Sequence, residues 1–304
     1  MNWPEKVTIK EVGPRDGLQN EQIIVPTQSK IDWIDQLSET GLSYIEVTSF
    51  VNPKWIPQLS DAVQVAKGIK RNPHITYAAL VPNERGLEAA LEGDIDEISV
   101  FMSSSETHNL KNINKTISDT LPIMKDVIGT AAKSGKTVRG YVSTVFGCPY
   151  EGEISLDQVF RVCDQLFDYG ISEVSLGDTI GVASPRAVAS FLESAVKRYD
   201  LSRIALHFHD TRGMALANVL QALEYGVDTF DSSLGGLGGC PYAPGASGNV
   251  ATDDLIHMLH NMGIQTGINQ EKLIQAASMM QSFLEKPLPS HQMAVYNAQL
   301  EESR

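Results

Sequence analysis

Two histidines separated by one residue, His207-Phe208-His209, are the strongest chemical signal in the chain. On a strand, alternate side chains face the same way, so both imidazoles project to one side while Leu206 and Phe208 face the other. Neighbouring imidazoles make adjacent metal ligands, although the same pattern also serves as hydrogen-bonded histidines in a polar layer. A metal needs further ligands, preferably anionic. Asp16, in Gly13-Pro14-Arg15-Asp16-Gly17, offers a carboxylate, and an Asp before Gly is equally at home in an Asx-turn. Two histidines and a carboxylate suit zinc, non-haem iron(II), manganese or magnesium, and spacing alone does not choose. Arg15 could hold an oxyanion or close a structural salt bridge. Glu46 interrupts the apolar run Ile45-Glu46-Val47, a place where a carboxylate needs a paired cation or a nearby metal. Cys240 stands in Gly235-Gly236-Leu237-Gly238-Gly239-Cys240-Pro241-Tyr242, where glycines permit close approach to a ligand and allow movement. That stretch lacks the lysine of a P-loop. Cys163 follows Val159 and Val162 on a helix-like face and reads as core, while Cys148, before Pro149, could be core or site.

These residues have to be carried by elements, and the chain supplies them in alternation. Strand-like runs occur at Val7–Val12, Tyr44–Thr48, Ile75–Val81, Glu97–Met102, Thr137–Thr144, Glu173–Leu176, Ile204–Phe208 and Thr229–Ser232. Helical patterns lie between them. One opens at Thr27 as N-cap and continues through Ile31, Ile34 and Leu37. Another covers Ser184–Tyr199, with Ser184 as N-cap and Pro185 at the first helical position. Further helices are expected over Met214–Tyr225 and Thr252–Met262. A helix end, a glycine and a strand recur at Gly41, Gly93, Gly135, Gly170 and Gly226, where glycine supplies a left-handed cap. Eight strand–helix units favour an α/β fold of the (β/α)8 TIM-barrel type over a doubly wound open sheet. Neither G-x-G-x-x-G after the first strand nor a P-loop sequence argues for the open sheet. Residues 269–304 lie beyond the eighth unit. Leu273, Ala276, Ala277 and Met280 predict a C-terminal helical extension packed on one barrel domain spanning 1–304. In a barrel, chemistry sits at the C-terminal ends of the strands, which is where Arg15, Asp16, His207, His209 and the glycine-rich stretch fall.

The formal net charge of −13 argues against nucleic acid and anionic membranes as main partners. It leaves room for an anionic small ligand at a local positive site. Three cysteines are too few, and odd in number, for a disulfide scaffold, which fits a reducing compartment. The first residues resemble neither a signal peptide nor an Arg-rich transit segment, no apolar run reaches the length of a membrane span, and the end is no peroxisomal address. A cytoplasmic location is expected.

Taken together, the motifs resemble the 3-hydroxy-3-methylglutaryl-CoA lyase family over nearly the whole chain. The resemblance is carried by Glu11-Val12-Gly13-Pro14-Arg15-Asp16-Gly17-Leu18-Gln19-Asn20-Glu21, Glu46-Val47-Thr48-Ser49-Phe50-Val51, Lys54-Trp55 and Arg139-Gly140-Tyr141-Val142-Ser143. It continues in Gly147-Cys148-Pro149-Tyr150-Glu151-Gly152, Ser175-Leu176-Gly177-Asp178-Thr179-Ile180-Gly181 and His207-Phe208-His209-Asp210-Thr211. Most specific is the glycine–cysteine stretch, followed by Gly245-Ala246-Ser247-Gly248-Asn249. The resemblance implies a barrel and a divalent cation, Mg²⁺ or Mn²⁺, held by Asp16, His207, His209 and Asn249. It implies Arg15 as a catalytic cation, Glu46 near the water shell of the metal, and Cys240 as a catalytic acid/base. It makes Ser175 and Asp178 substrate-pocket groups, with Gln19, Ser49, Arg139, Tyr141, Ser143 and Thr179 from the same motifs. Lys111 and Asn112 are implied contacts of the CoA nucleotide. The expected partner is an acyl-CoA, and the expected assembly a homodimer or other homo-oligomer. Departures are small: Leu234-Gly235 stands where the family more often has Val-Ala, and Phe101–His108 drifts. No C-terminal cysteine suggests a disulfide-linked dimer.

The implied reaction cleaves (S)-3-hydroxy-3-methylglutaryl-CoA into acetyl-CoA and acetoacetate, in leucine catabolism with ketone-body formation or in another pathway. The C3 hydroxyl must lose a proton while C2 departs as a thioester enolate. Asp16, His207 or a water on the metal could take that proton. Arg15 can stabilise the enolate oxygen and Cys240 can protonate the carbanion. Two other readings use the same residues. A condensing enzyme of the isopropylmalate- or homocitrate-synthase type would share the barrel, metal and Arg-Asp pair, but usually carries a long C-terminal regulatory region. A non-catalytic barrel could bind acyl-CoA or metal as a sensor.

Overall fold

A computed structural model of the chain describes residues 3–239 and 248–303. Eight strands alternate with helices along it: β1 (Thr8–Glu11), β2 (Tyr44–Ser49), β3 (Thr76–Leu80), β4 (Glu97–Ser103), β5 (Thr137–Ser143), β6 (Glu173–Asp178), β7 (Ile204–Phe208) and β8 (Thr229–Ser232). The helices are α1 (Thr27–Ser38), α2 (Ala62–Gly68), α3 (Glu84–Glu92), α4 (Glu106–Ile113), α5 (Ile117–Lys133), α6 (Leu156–Tyr169), α7 (Pro185–Ala195), α8 (Ala215–Glu224), α9 (Thr252–Asn261), α10 (Gln270–Leu284) and α11 (His291–Glu302). All neighbouring strands pair in parallel, and β8 closes on β1, with Lys10 beside Asp231, to make a closed barrel in sequence order. This is the (β/α)8 architecture that the sequence predicts.

Strand alternation sorts the side chains. Ile45, Ile98, Val100, Val174, Leu206 and Phe230 are buried, each in a strand that a helix covers. The intervening positions face the barrel interior, and their contacts prove it. Lys10 on β1 reaches Glu173 on β6 at 2.9 Å, Arg139 on β5 reaches Asp231 on β8 at 2.5 Å, and Tyr141 on β5 reaches Glu46 on β2 at 3.2 Å. Strands that are not neighbours touch only through the lumen. The interior is therefore a packed layer of paired charges and rings, with burial that would be costly for unpaired ions.

Helix boundaries show where tertiary partners override local signals. Ser184 caps α7 by accepting from Ala187 N, as expected. Thr27, expected as an N-cap, is instead the first residue of α1, because its hydroxyl is taken by Asp61 Oδ2 at 2.7 Å. Gly41, Gly135, Gly170 and Gly226 all have positive φ, but Gly93 does not; Asp94, with φ +54°, makes that turn. At Gly41, with φ +94°, an added Cβ would also strike the Gly267 carbonyl oxygen. In the C-terminal segment Leu273, Ala276, Ala277 and Met280 are buried on α10, and a second helix, α11, follows a left-handed turn at Glu285. No helix among the described residues is long and apolar enough to cross a membrane.

Candidate active site

The ends of β1, β7 and β8 bring the expected residues together. After β1 the chain makes a buried π-helical turn, Gly13–Gly17, presenting Arg15 and Asp16. His207 is the penultimate residue of β7, and His209 lies just past its end, bridged in antiparallel fashion to Asn249. Ligand atoms of Asp16, His207 and His209 all lie within 4.8 Å of one another. The two imidazole centroids are 5.3 Å apart, and His207 Nε2 is 3.8 Å from Asp16 Oδ2. Asn249 Nδ2 donates to Asp16 Oδ2 at 2.9 Å and to the Leu237 carbonyl at 3.1 Å. Gly238, φ +114°, allows this close approach: a Cβ there would lie 2.6 Å from Asn249 Nδ2. Asn249 Oδ1 and His209 Nδ1 are buried with no hydrogen-bond partner among the described residues. A buried carbonyl oxygen and a buried imidazole nitrogen without partners, beside a carboxylate and a second imidazole, fit a divalent cation.

Arg15 is wedged between two carboxylates. Its Nε donates to Glu46 Oε2 at 2.5 Å, its Nη1 pairs with Asp16 Oδ1, and its guanidinium stands 5.2 Å from the Tyr141 ring. Gln19 Nε2 adds a bond to Asp16 Oδ1 at 2.7 Å. Burial alone would raise the Asp16 carboxyl, but Arg15 and the two histidines hold it below its ordinary value. Burial and the neighbouring His207 push His209 down to about 4, so it is neutral and able to ligate. Burial also opposes charge on His207, yet Asp231 on its Nδ1 side raises it.

A cavity of about 670 Å³ opens from these groups toward the surface. Arg15, Asp16, Gln19, Tyr141, Ser143, Thr179, His207 and His209 line it, with Asn112, Lys115 and the 70% exposed Trp55 farther out. Several expected substrate contacts lie elsewhere. Arg139 is fully buried, paired with Glu173 and Asp231, and Ser175 is fully buried, donating to Asp231. Both lie outside the cavity lining, whereas the Tyr141 ring, 4.7 Å from the Arg139 guanidinium, is part of it. Asp178 also turns away, its two oxygens accepting from Val182 N and Ala183 N, with burial pushing it up to about 6. Ser49 is fully buried and outside the lining. Lys111 is exposed and outside it too, while Lys115, which the sequence did not single out, is inside. Glu46 is fully buried behind Arg15 and is better placed to align it than to meet a metal's water shell. Cys163 is core on α6 and Cys148 is buried against Ser105. Cys240 lies outside the described residues.

The residue that sequence reasoning missed is Asp231. It is a charged residue within Thr229-Phe230-Asp231-Ser232, the same signal of a carboxylate in a central strand that drew attention to Glu46.

Comparisons with known proteins agree along the whole chain. Residues 6–280 match the family model described as HMGL-like. The chain is 59% identical to the hydroxymethylglutaryl-CoA lyase of Bacillus subtilis, over 98% of this chain and all of that one. A crystal structure of the Bacillus subtilis HMG-CoA lyase superposes with a TM-score of 0.97 at 60% identity, covering 98% of this chain and all of that one. An HMG-CoA lyase from Acinetobacter baumannii, solved with coenzyme A and 3-methylmalate, gives 0.91 at 41% identity, covering 96% and 95%. With the match to the family model and near-complete coverage of these relatives, the chain belongs to the HMG-CoA lyase family.

Proposed function

We propose that the protein cleaves 3-hydroxy-3-methylglutaryl-CoA into acetyl-CoA and acetoacetate. The observation that carries this reading is the convergence of Asp16, His207 and His209 with a buried Arg15 at the mouth of the barrel. It is supported by 59% identity, over 98% of this chain, to a hydroxymethylglutaryl-CoA lyase. The cavity leading outward past Asn112 and Lys115 suits a long anionic thioester, and the Acinetobacter relative was solved with coenzyme A.

Asp16, His207, His209 and Asn249 would hold Mg²⁺ or Mn²⁺. When bound, the cation supplies positive charge that lowers the pKa of the substrate hydroxyl and fixes its orientation. The chain's own groups do the rest. The C2–C3 bond breaks, its electron pair moving to C2 and the thioester carbonyl. Arg15, held rigidly by Asp16 and Glu46, presents fixed positive charge where the enolate oxygen develops. The C3 hydroxyl proton leaves toward the cluster formed by Asp16 and His207. Cys240 donates a proton to C2, so one proton is lost and one gained, and the two products sum to the substrate. Glu46 acts through Arg15, while Gln19 and Asn249 hold the Asp16 carboxylate.

The test supplies 3-hydroxy-3-methylglutaryl-CoA alone and then acetyl-CoA with several 2-oxo acids. Acetoacetate in the first mixture and no free CoA in the second is the expected result. Free CoA released only with a 2-oxo acid would overturn cleavage in favour of condensation.

A further inference from the structure

Beneath the candidate metal ligands, three donors from three consecutive strands converge on one carboxylate of a fourth. Asp231 on β8 is 1% exposed. Its Oδ1 accepts from Arg139 Nη2 on β5 at 2.5 Å, and its Oδ2 accepts from Ser175 Oγ on β6 at 2.7 Å. The same Oδ2 lies 3.1 Å from His207 Nδ1 on β7. An ionised carboxylate only accepts, so Nδ1 must carry the proton. Nε2 then turns its lone pair to the other side of the ring, where Asp16 Oδ2 stands 3.8 Å away. The pairing register sets His207 directly beside Asp231, so backbone geometry builds this contact. Arg139 is fully buried and braced from below by Glu173, which Lys10 reaches at 2.9 Å. His209 has no comparable support, its Nδ1 being without a partner among the described residues.

We infer that Asp231, held in place by Arg139, is a positioning residue that fixes the tautomer and ring orientation of His207, so that Nε2 points into the metal site. This rests on the reading that Asp16, His207, His209 and Asn249 hold a divalent cation. Without the carboxylate the proton is free to move to Nε2, which puts a donor where a ligand lone pair is needed. A carboxylate behind a ligating imidazole fixes both features, and its loss costs roughly 10- to 100-fold in metal affinity.

Mn²⁺ binding to the purified full chain, followed by electron paramagnetic resonance, tests this. Wild type is expected to bind one Mn²⁺, and Asp231→Asn to bind it about 10- to 100-fold more weakly. Turnover of the variant should recover as Mn²⁺ is raised, a response that mere structural damage would not give. Because Asp231→Asn leaves the fully buried Arg139 with Glu173 as its one carboxylate partner and could fail to fold, the pair Arg139→Gln/Asp231→Asn is measured beside it. That double variant is expected to show the circular dichroism of wild type, yet keep the weak Mn²⁺ affinity, since the anion behind His207 is still missing. Wild-type affinity in either folded variant would overturn the positioning role while leaving the metal reading intact. A wild-type chain that binds no Mn²⁺ would overturn the metal reading and this inference with it.

Discussion

Glu11 offers a test of the clamp that holds the loops of the site. Its Oε1 accepts from Gly13 N at 2.8 Å and Leu234 N at 2.9 Å, and its Oε2 accepts from Thr252 Oγ1 at 2.6 Å. One side chain thus ties the turn carrying Arg15 and Asp16 to the start of the glycine-rich stretch and to α9. There is no room beside it, since a Cβ on Gly13 would lie 2.5 Å from Oε1. Burial outweighs these three donors and raises the carboxyl from 4.5 to about 7. A raised carboxyl binds its proton more tightly in the folded chain than in the unfolded one. Its stabilising contribution is therefore complete below pH 4.5 and lost as pH climbs through 7. At 1.36 kcal/mol per pH unit, the interval corresponds to on the order of 3 kcal/mol. Glu11→Gln keeps the shape: its oxygen can accept from Gly13 and Leu234, and its amide can donate to Thr252, whose hydroxyl can turn to Ser232 Oγ at 2.8 Å. The variant should lose the pH dependence and gain on wild type as pH rises from 4.5 to 8. With an unfolding entropy of about 640 cal/mol/K for a chain of 304 residues, the gain in Tm is roughly 5 °C. Thermal melts of both proteins across that range measure it. Parallel curves would refute the reasoning, because they would mean that the three donors already offset burial of the charge.

Chelation should abolish activity, and Mg²⁺ or Mn²⁺ should restore it; His209→Ala should weaken Mn²⁺ binding beyond the roughly 10- to 100-fold that losing a supporting partner costs. Full activity in the stripped protein would dismiss the metal. Cys240→Ser should fold and bind Mn²⁺ normally yet lose turnover by about 10² to 10⁴, the usual size of a general acid/base contribution; near wild-type kcat would remove its role as proton donor. Lys115→Ala should raise KM for the CoA thioester by about fivefold, the scale of one exposed ion contact, and leave KM for a truncated pantetheine thioester unchanged. A larger effect from Lys111→Ala would favour the sequence-based placement of the nucleotide. Gly41→Ala combines an unfavourable left-handed φ with a collision and should cost more than about 2 kcal/mol, lowering Tm by about 3 °C or more without changing KM.

The barrel was legible because each βα unit is punctuated and patterned locally. Four of the five glycine junctions carry the positive φ expected of them, and α10 buries the four residues that its spacing predicts. Local signals failed where a distant side chain competed, as when Asp61 took the Thr27 hydroxyl. At the site, the shared face of His207 and His209 follows from strand alternation alone. That Asn249 joins them does not, because it depends on a loop return after β8 that no periodicity encodes. That Arg139 and Ser175 lie outside the cavity lining was hidden for a related reason. Both sit in strands beside residues that do line the cavity, and one strand presents its inward side chains at successive depths. Tyr141 reaches the cleft, and Arg139, two residues earlier, lies one layer below it. Depth within a barrel depends on stagger between strands, which a single sequence does not display.

Strand face and partners explain how acidic groups so close together differ in behaviour, Glu11 lying on the opposite face of β1 from the inward Lys10. Glu11 faces two amides and a hydroxyl, none of them charged, and burial lifts it to about 7. Asp231 is buried as deeply, but the Arg139 guanidinium on one oxygen and His207 beside the other drive it far below the usual carboxylate range. Asp16 is lowered in the same way by Arg15, although one face remains open to the cavity. An ion is tolerated in the interior where a fixed counter-charge meets it and is disfavoured where only dipoles do. The two lowered carboxylates flank His207 on its two nitrogens, one beneath and one at the cleft. The imidazole is thus held between a carboxylate committed to Arg139 and one that also faces the substrate. Exchanging Asp231 for its amide should release the proton of His207 from Nδ1, whereas exchanging Asp16 should leave that tautomer in place and remove a carboxylate from the metal site.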